Sequence, residues 1–148
     1  MNRVVSEQLF AEQTANLSGV LLEARAWNIF ELSYPVIDIG FDTHDAVSLR
    51  LKLNFSDWND LPPTICLHNR DGGPLSPWPP SLSGVFNPGP HPNIGGPFVC
   101  TPGSREYHSH PSHTSDLWDN YRNRSGYDIG GILTELWWAW GNWKRAHT

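Results

Sequence analysis

Two thiols are the soft nucleophiles available to this chain, and their settings differ. Cys100 closes the stretch His91-Pro92-Asn93-Ile94-Gly95-Gly96-Pro97-Phe98-Val99-Cys100, where prolines and glycines work against regular sheet and so favour exposure. Cys66 sits in the apolar run Thr64-Ile65-Cys66-Leu67 and is expected to be a small core hydrophobe. A nucleophilic cysteine needs access, a route to the thiolate and donors for a developing oxyanion. Asn93, seven positions before Cys100, carries an amide donor, and Gly95 and Gly96 allow the loop to reverse and bring it back. On these residues alone Cys100 is a candidate nucleophile, the alternative being a structural cysteine that happens to lie near an asparagine.

Three histidines follow closely: His108, His110 and His113. Imidazoles at such spacing suit zinc, but no nearby cysteine pattern completes four ligands, and Pro111 does not fix their directions. Two other readings stand beside a metal-dependent hydrolase. One of the three orients or deprotonates an amine arriving at Cys100, or all are solvated loop histidines. No metal and no cofactor is expected.

The elements that position these residues can be read from periodicity. Leu9, Leu17, Val20, Leu21 and Ala24 recur at helical intervals and predict one N-terminal helix over about 6–24, interrupted by Gly19. Residues 27–41 read as extended chain broken at Tyr34-Pro35, with Val36-Ile37-Asp38-Ile39 its clearest strand and Thr43-His44-Asp45 a turn after it. Val47, Leu49, Leu51, Leu53 and Phe55 alternate with Ser48, Arg50, Lys52 and Asn54, which predicts a strand with one buried face. Ser56 to Pro63 is a connector, and 64–67 is another short strand, so an antiparallel meander is expected.

From His68 to Pro102 the prolines and glycines forbid long elements. Trp78, Leu82, Val85 and Phe86 within that segment predict a stiff loop held to the domain surface. Residues 107–127 are polar and expected to loop. Asp128 is a good N-cap for a final helix whose stripe is Ile129, Ile132, Leu133, Leu136, Trp137, Trp140 and Trp143. Lys144 and Arg145 complement its dipole, and Trp138 falls off the stripe, where it can serve as an exposed partner contact. The expectation is one α+β domain over 1–148, a four-stranded antiparallel meander with an N-terminal and a C-terminal helix in two layers.

Composition narrows the class. A chain of 148 residues suits one core, and eight tryptophans supply ample area to bury. A net charge of -5 with no basic run argues against nucleic acid and anionic membranes. The opening residues Met1 to Gln8 turn polar too early for a secretory signal, and no apolar run approaches the roughly 20 residues that span a bilayer. Two cysteines make no disulfide framework, so a reduced, cytoplasmic protein is expected.

In this order the motifs resemble the ubiquitin-conjugating enzymes, the E2 family. Ser48 to Phe55 looks like the strand before that family's proline turn, and Leu61-Pro62-Pro63 with Thr64-Ile65-Cys66-Leu67 is similar to the turn and the strand after it. His91-Pro92-Asn93 is the family's signature tripeptide, Cys100 falls within about one residue of its active-site cysteine, and the helix from Ile129 resembles its crossover helix. The resemblance spans roughly residues 45–143. It implies a UBC-like fold in which Cys100 accepts a ubiquitin-like protein from an E1-like activating enzyme and passes it to an amine of a target protein. It implies that Asn93 supports the oxyanion or the loop and that His91 pins the loop. It also offers Asp116 and Asp119 as carboxylates that ease lysine deprotonation, the alternative being plain surface charge. A non-catalytic member that only docks a ubiquitin-like protein is the competing reading within the same fold. The departures are about twenty extra residues over 69–90, the histidine-rich continuation after Thr101-Pro102-Gly103, and the end of the chain after the crossover helix. They resemble the reduced E2-like proteins of bacterial operons associated with antiviral defence.

Overall fold

The computed structural model describes residues 2–41, 49–79 and 84–146, with side chains as far as 142. The expected turn at 43–45, the first strand residues Val47 and Ser48, Leu82, and the side chains of Trp143, Lys144 and Arg145 lie outside the described residues.

The N-terminal periodicity resolves into two helices rather than one, α1 (Arg3–Thr14) and α2 (Gly19–Arg25). Asn2 caps α1 by accepting from the Val4 amide at 2.8 Å. The break comes ahead of Gly19, because Ser18 is extended and starts the second helix. Strands β1 (Trp27–Ser33), β2 (Val36–Phe41), β3 (Leu49–Asn54) and β4 (Thr64–His68) follow. They pair antiparallel in the order β1-β2-β3-β4, the expected meander. Tyr34-Pro35 makes the β1–β2 turn.

Register explains the core. Ile39 faces Leu51, which faces Leu67; Ile37 faces Leu53, which faces Ile65. All six lie on the inner face and are buried. The C-terminal helix α4 (Ile129–Ala146) presents Ile129, Ile132, Leu133, Leu136 and Trp140 to the same core. Asp128 caps it, accepting from the Gly131 amide at 2.8 Å. Trp138 stands outside this stripe and is exposed. Antiparallel sheet and helix thus enclose one apolar layer, as an α+β domain requires. Among the described residues no helix is long and apolar enough to cross a membrane.

On the opposite face of the sheet, Arg50 grips both oxygens of Asp38 at 2.8 Å and lies 4.0 Å over the Phe30 ring. Cys66 belongs to this outer face and is exposed, contrary to the core position expected of it. The reason is the pleat: Ile65 and Leu67 point inward, so the residue between them points out.

After β4 the chain makes only a short ladder, β5 (Phe86–Asn87) with β6 (Phe98–Val99). Val85, Phe86, Phe98 and Val99 are buried and Trp78 is half-buried, so this segment is anchored by side chains rather than by regular pairing. Residues 107–127, expected to loop, instead hold the end of a short helix α3 (Arg105–Ser109) and two 3-10 turns at Pro111–His113 and Trp118–Asn120.

Candidate active site

The short ladder fixes Cys100. Asn87 pairs with Phe98 and Phe86 with Val99, and the Cys100 amide then donates to the Val85 carbonyl at 2.6 Å. Val99 is fully buried and Cys100, next along, is half-exposed. Asn87 Oδ1, the side-chain oxygen, accepts from the Gly89 amide at 2.8 Å, which closes an Asx turn. Its side-chain amide is left to donate to the Cys100 sulfur. Burial pushes the Cys100 thiol above its ordinary range and the Asn87 bond opposes that rise, so at neutral pH the group rests as a thiol.

The tripeptide forms the far side of the same loop. His91 is fully buried. Its Nδ1 accepts from the Asn93 amide at 3.0 Å, which makes Nε2–H the donor to the Glu106 carbonyl at 2.8 Å. With both nitrogens spoken for, His91 ties the loop to α3 and is a structural pin. The loop also needs Gly89: its φ is +77°, and a Cβ there would lie 2.5 Å from the Gly96 carbonyl oxygen. Asn93 is exposed at the turn, and its side-chain amide points to the Ser109 carbonyl at 3.4 Å. The amide at the sulfur is that of Asn87, and Asn93 serves the loop.

Helix α3 carries the other wall. The Ser104 oxygen accepts from the Tyr107 amide at 3.1 Å and its hydroxyl donates to the Val99 carbonyl at 2.8 Å, joining β6 to the helix. Arg105 donates to the carbonyls of Pro62 and Ser56, and Glu106 Oε1 accepts from the Ile65 amide at 3.0 Å, so α3 seats on the proline turn and the edge of β4. Burial raises the Glu106 carboxyl above the usual range, and its Oε2 has no hydrogen-bond partner.

The three neighbouring histidines diverge. His108 Nδ1–H donates to the Asp116 carbonyl at 2.8 Å and its Nε2 accepts from the Gly103 amide at 3.1 Å; burial lowers its basicity, so it is neutral and structural. His110 Nδ1 accepts from Ser112 and caps the first 3-10 turn. His113 Nε2 alone approaches the sulfur of Cys100, at 3.7 Å. These directions bring no common ligand point together, and among the described residues no group of three or more His, Cys, Asp or Glu is set to hold a metal.

Behind His113 lies an acidic anchor. The His113 ring stacks on Tyr107 at 4.1 Å between centroids and 16° between planes. Tyr107 donates its hydroxyl to Asp116 Oδ2 at 2.6 Å, and Tyr121 donates to the same carboxylate at 2.8 Å. These two bonds hold the Asp116 carboxyl below the usual range, and the same carboxylate raises both phenols. Asp119 is exposed and meets Arg122 at 3.4 Å, which is a surface ion pair.

Beside the residues that follow Cys100, a cleft of about 160 Å³ is lined by Thr101, Pro102, Tyr127, Ile132 and Glu135. The whole arrangement can take an electrophilic carbonyl at Cys100, offer it an amide donor from Asn87, and receive a proton at His113. Of the residues in this arrangement, the sequence pointed to Cys100 and placed His113 among three candidates; Asn87 it did not single out. Its signal was the Asn-x-Gly spacing before the tripeptide, a sign of an Asx turn whose free amide must point elsewhere. Scanned against models of known protein families and against curated proteins, the chain gives no match.

Proposed function

We propose that this protein is an E2-type conjugating enzyme of the cytoplasm. Cys100 accepts the C-terminal carbonyl of a ubiquitin-like protein from an E1-like enzyme by transthiolation and passes it to an amine on a target protein. The observation that carries this reading is the setting of Cys100: a half-exposed thiol at the end of β6, on a loop pinned by the buried His91 and beside the Asn87 amide. The four-stranded meander with helices at both ends supports the likeness to the UBC fold, and the ordered tripeptide and cysteine support the likeness in chemistry.

Thioester exchange suits such a site. Thiolate is a good leaving group, so the protein has to supply orientation, a dry approach and an oxyanion donor rather than a strong base or a metal. In this reading Asn87 supplies the donor, His91 and Asn93 hold the loop in shape, and no cofactor is needed. The test is a non-reducing gel of the chain with its E1-like enzyme, ubiquitin-like protein and ATP. A thiol-sensitive adduct should form and should vanish in Cys100→Ala. An adduct that survives Cys100→Ala ends the assignment. Cys100→Ser with full biological activity would favour a docking module instead.

A further inference from the structure

Of the clustered histidines, His113 is the one whose ring nitrogen approaches the nucleophile. His108 has both nitrogens bonded, and His110 has its Nδ1 committed to Ser112. His113 Nε2 stands 3.7 Å from Cys100 Sγ, within reach for a sulfur hydrogen bond. We infer that His113 is the acid–base partner of Cys100, forming a cysteine–histidine dyad whose imidazole is oriented by stacking on Tyr107.

This deepens the acyl-carrier reading and rests on it. In loading, the Cys100 S–H proton passes to His113 Nε2 as the sulfur attacks the carbonyl carbon of the incoming thioester. A new C–S bond forms, the old C–S bond breaks, and the imidazolium returns its proton to the departing thiolate. In discharge a primary amine attacks the Cys100 thioester, and His113 takes a proton from the nitrogen and returns it to the Cys100 sulfur as that C–S bond breaks. Protons and electron pairs balance in both steps. Cys100 rests as a thiol, so proton transfer belongs to the transition state.

The usual device for orienting a catalytic imidazole is a carboxylate on its second nitrogen. Here orientation comes through the ring face. Tyr107 packs flat on His113, and its hydroxyl is fixed by Asp116, which Tyr121 fixes in turn. The titratable groups facing His113 are Cys100, Tyr107 and His110, with the Asp116 carboxylate and the neutral His108 behind them. The Asp116 charge favours the imidazolium that forms during the step, while Tyr107 and Asp116 themselves act as positioning residues.

The experiment uses a small thioester, a peptide ending in Gly-Gly with a mercaptoethanesulfonate leaving group, and follows acylation of Cys100 by intact mass in a Cys66→Ser background. Any free thiolate reacts with this probe in alkali, so every variant yields a rate. With His113 present the rate should depend only weakly on pH across the neutral range, until the thiol itself ionises in alkali. His113→Gln should instead climb about tenfold per pH unit, lying about 100-fold lower at pH 7 and closing the gap above about pH 9. In His113→Ala, imidazole added to the buffer should restore part of the neutral-pH rate. Superimposable profiles, or a gap of constant size at every pH, would overturn the dyad. Failure of the acyl-carrier reading looks different: an E1-dependent adduct that survives Cys100→Ala.

Discussion

The sheet and the segment from Val85 to Tyr127 share one apolar core, yet the two halves are fixed differently. In the sheet half, inward rows such as Ile39, Leu51 and Leu67 join the α4 stripe, and burial of apolar area does the holding. In the loop half, side chains bond to backbone: His91 to Glu106, Ser104 to Val99, Arg105 to Pro62 and Ser56, Glu106 to Ile65, His108 to Asp116 and Gly103. The first kind of force is non-directional and sums over area; the second is directional and fixes single atoms. A reacting sulfur needs the second, because a donor or base displaced by an ångström no longer acts. The two thiols divide along this line, with Cys66 on the wall and Cys100 in the fitted loop.

The largest effect expected tests the wall. Leu51→Ala empties a fully buried position between Ile39 and Leu67, and should cost about 3–5 kcal/mol in chemical denaturation. Thiol chemistry should then fail only where the whole domain unfolds. His91→Ala tests the loop. It removes the donor to the Glu106 carbonyl and the acceptor for the Asn93 amide, at about 1–3 kcal/mol. Its acyl-transfer rate should fall much further than its stability, because the pin is lost while the sheet stays folded. Equal damage to stability from both substitutions would erase the distinction between the halves.

That distinction also decides what the sequence discloses. The alternation from Leu49 to Phe55 and the stripe from Ile129 to Trp140 are legible because burial repeats with the period of the element itself. Strict use of the same period places Cys66 opposite Ile65 and Leu67, on the outer face, where it is found. The split into α1 and α2 shows less, since Gly19 marks a break without saying that Ser18 begins a new helix. The loop half has no period to read. Asn87 reaches Cys100 through the register of a two-residue ladder, and His113 through a ring stacked on Tyr107. Those contacts depend on how the loop closes, and residue spacing does not encode it. The tripeptide and the cysteine are legible as a pair of landmarks; the amide and the imidazole found beside the sulfur come from outside them.

Smaller than either truncation is an effect of pH, and it has opposite signs in the two halves. The Arg50 fork holds the Asp38 carboxyl below its ordinary 3.8, so its stabilisation is present above that pH and is lost as pH falls through the depressed value. Burial raises the Glu106 carboxyl above its ordinary 4.5, so its protonated form is the better fit. That contribution is full below pH 4.5 and is lost as pH rises through the elevated value. Denaturation midpoints across acidic pH should therefore lose their acid-side fall in Asp38→Asn and their decline on the neutral side in Glu106→Gln. The same slope in Glu106→Gln as in the parent would show that Glu106 is not strained by its burial.

The smallest effect expected sharpens the comparison most, because it asks one question of two chemically identical groups. Cys66 lies on the exposed outer face, across from Lys52, and contributes nothing to the inward row. Cys66→Ser should shift stability by less than about 0.5 kcal/mol and leave the E1-dependent adduct at full strength. Cys100→Ser has the same change of one atom, yet it should trade the labile thioester for a base-sensitive ester or for no adduct, since a hydroxyl is a poorer leaving group and far harder to ionise than a thiol. Running both serines on one non-reducing gel, with and without thiol, separates exposure from reactivity. If Cys66→Ser also weakened the adduct, accessible sulfur alone would account for the chemistry, and the fitted surroundings of Cys100 would have no part in it.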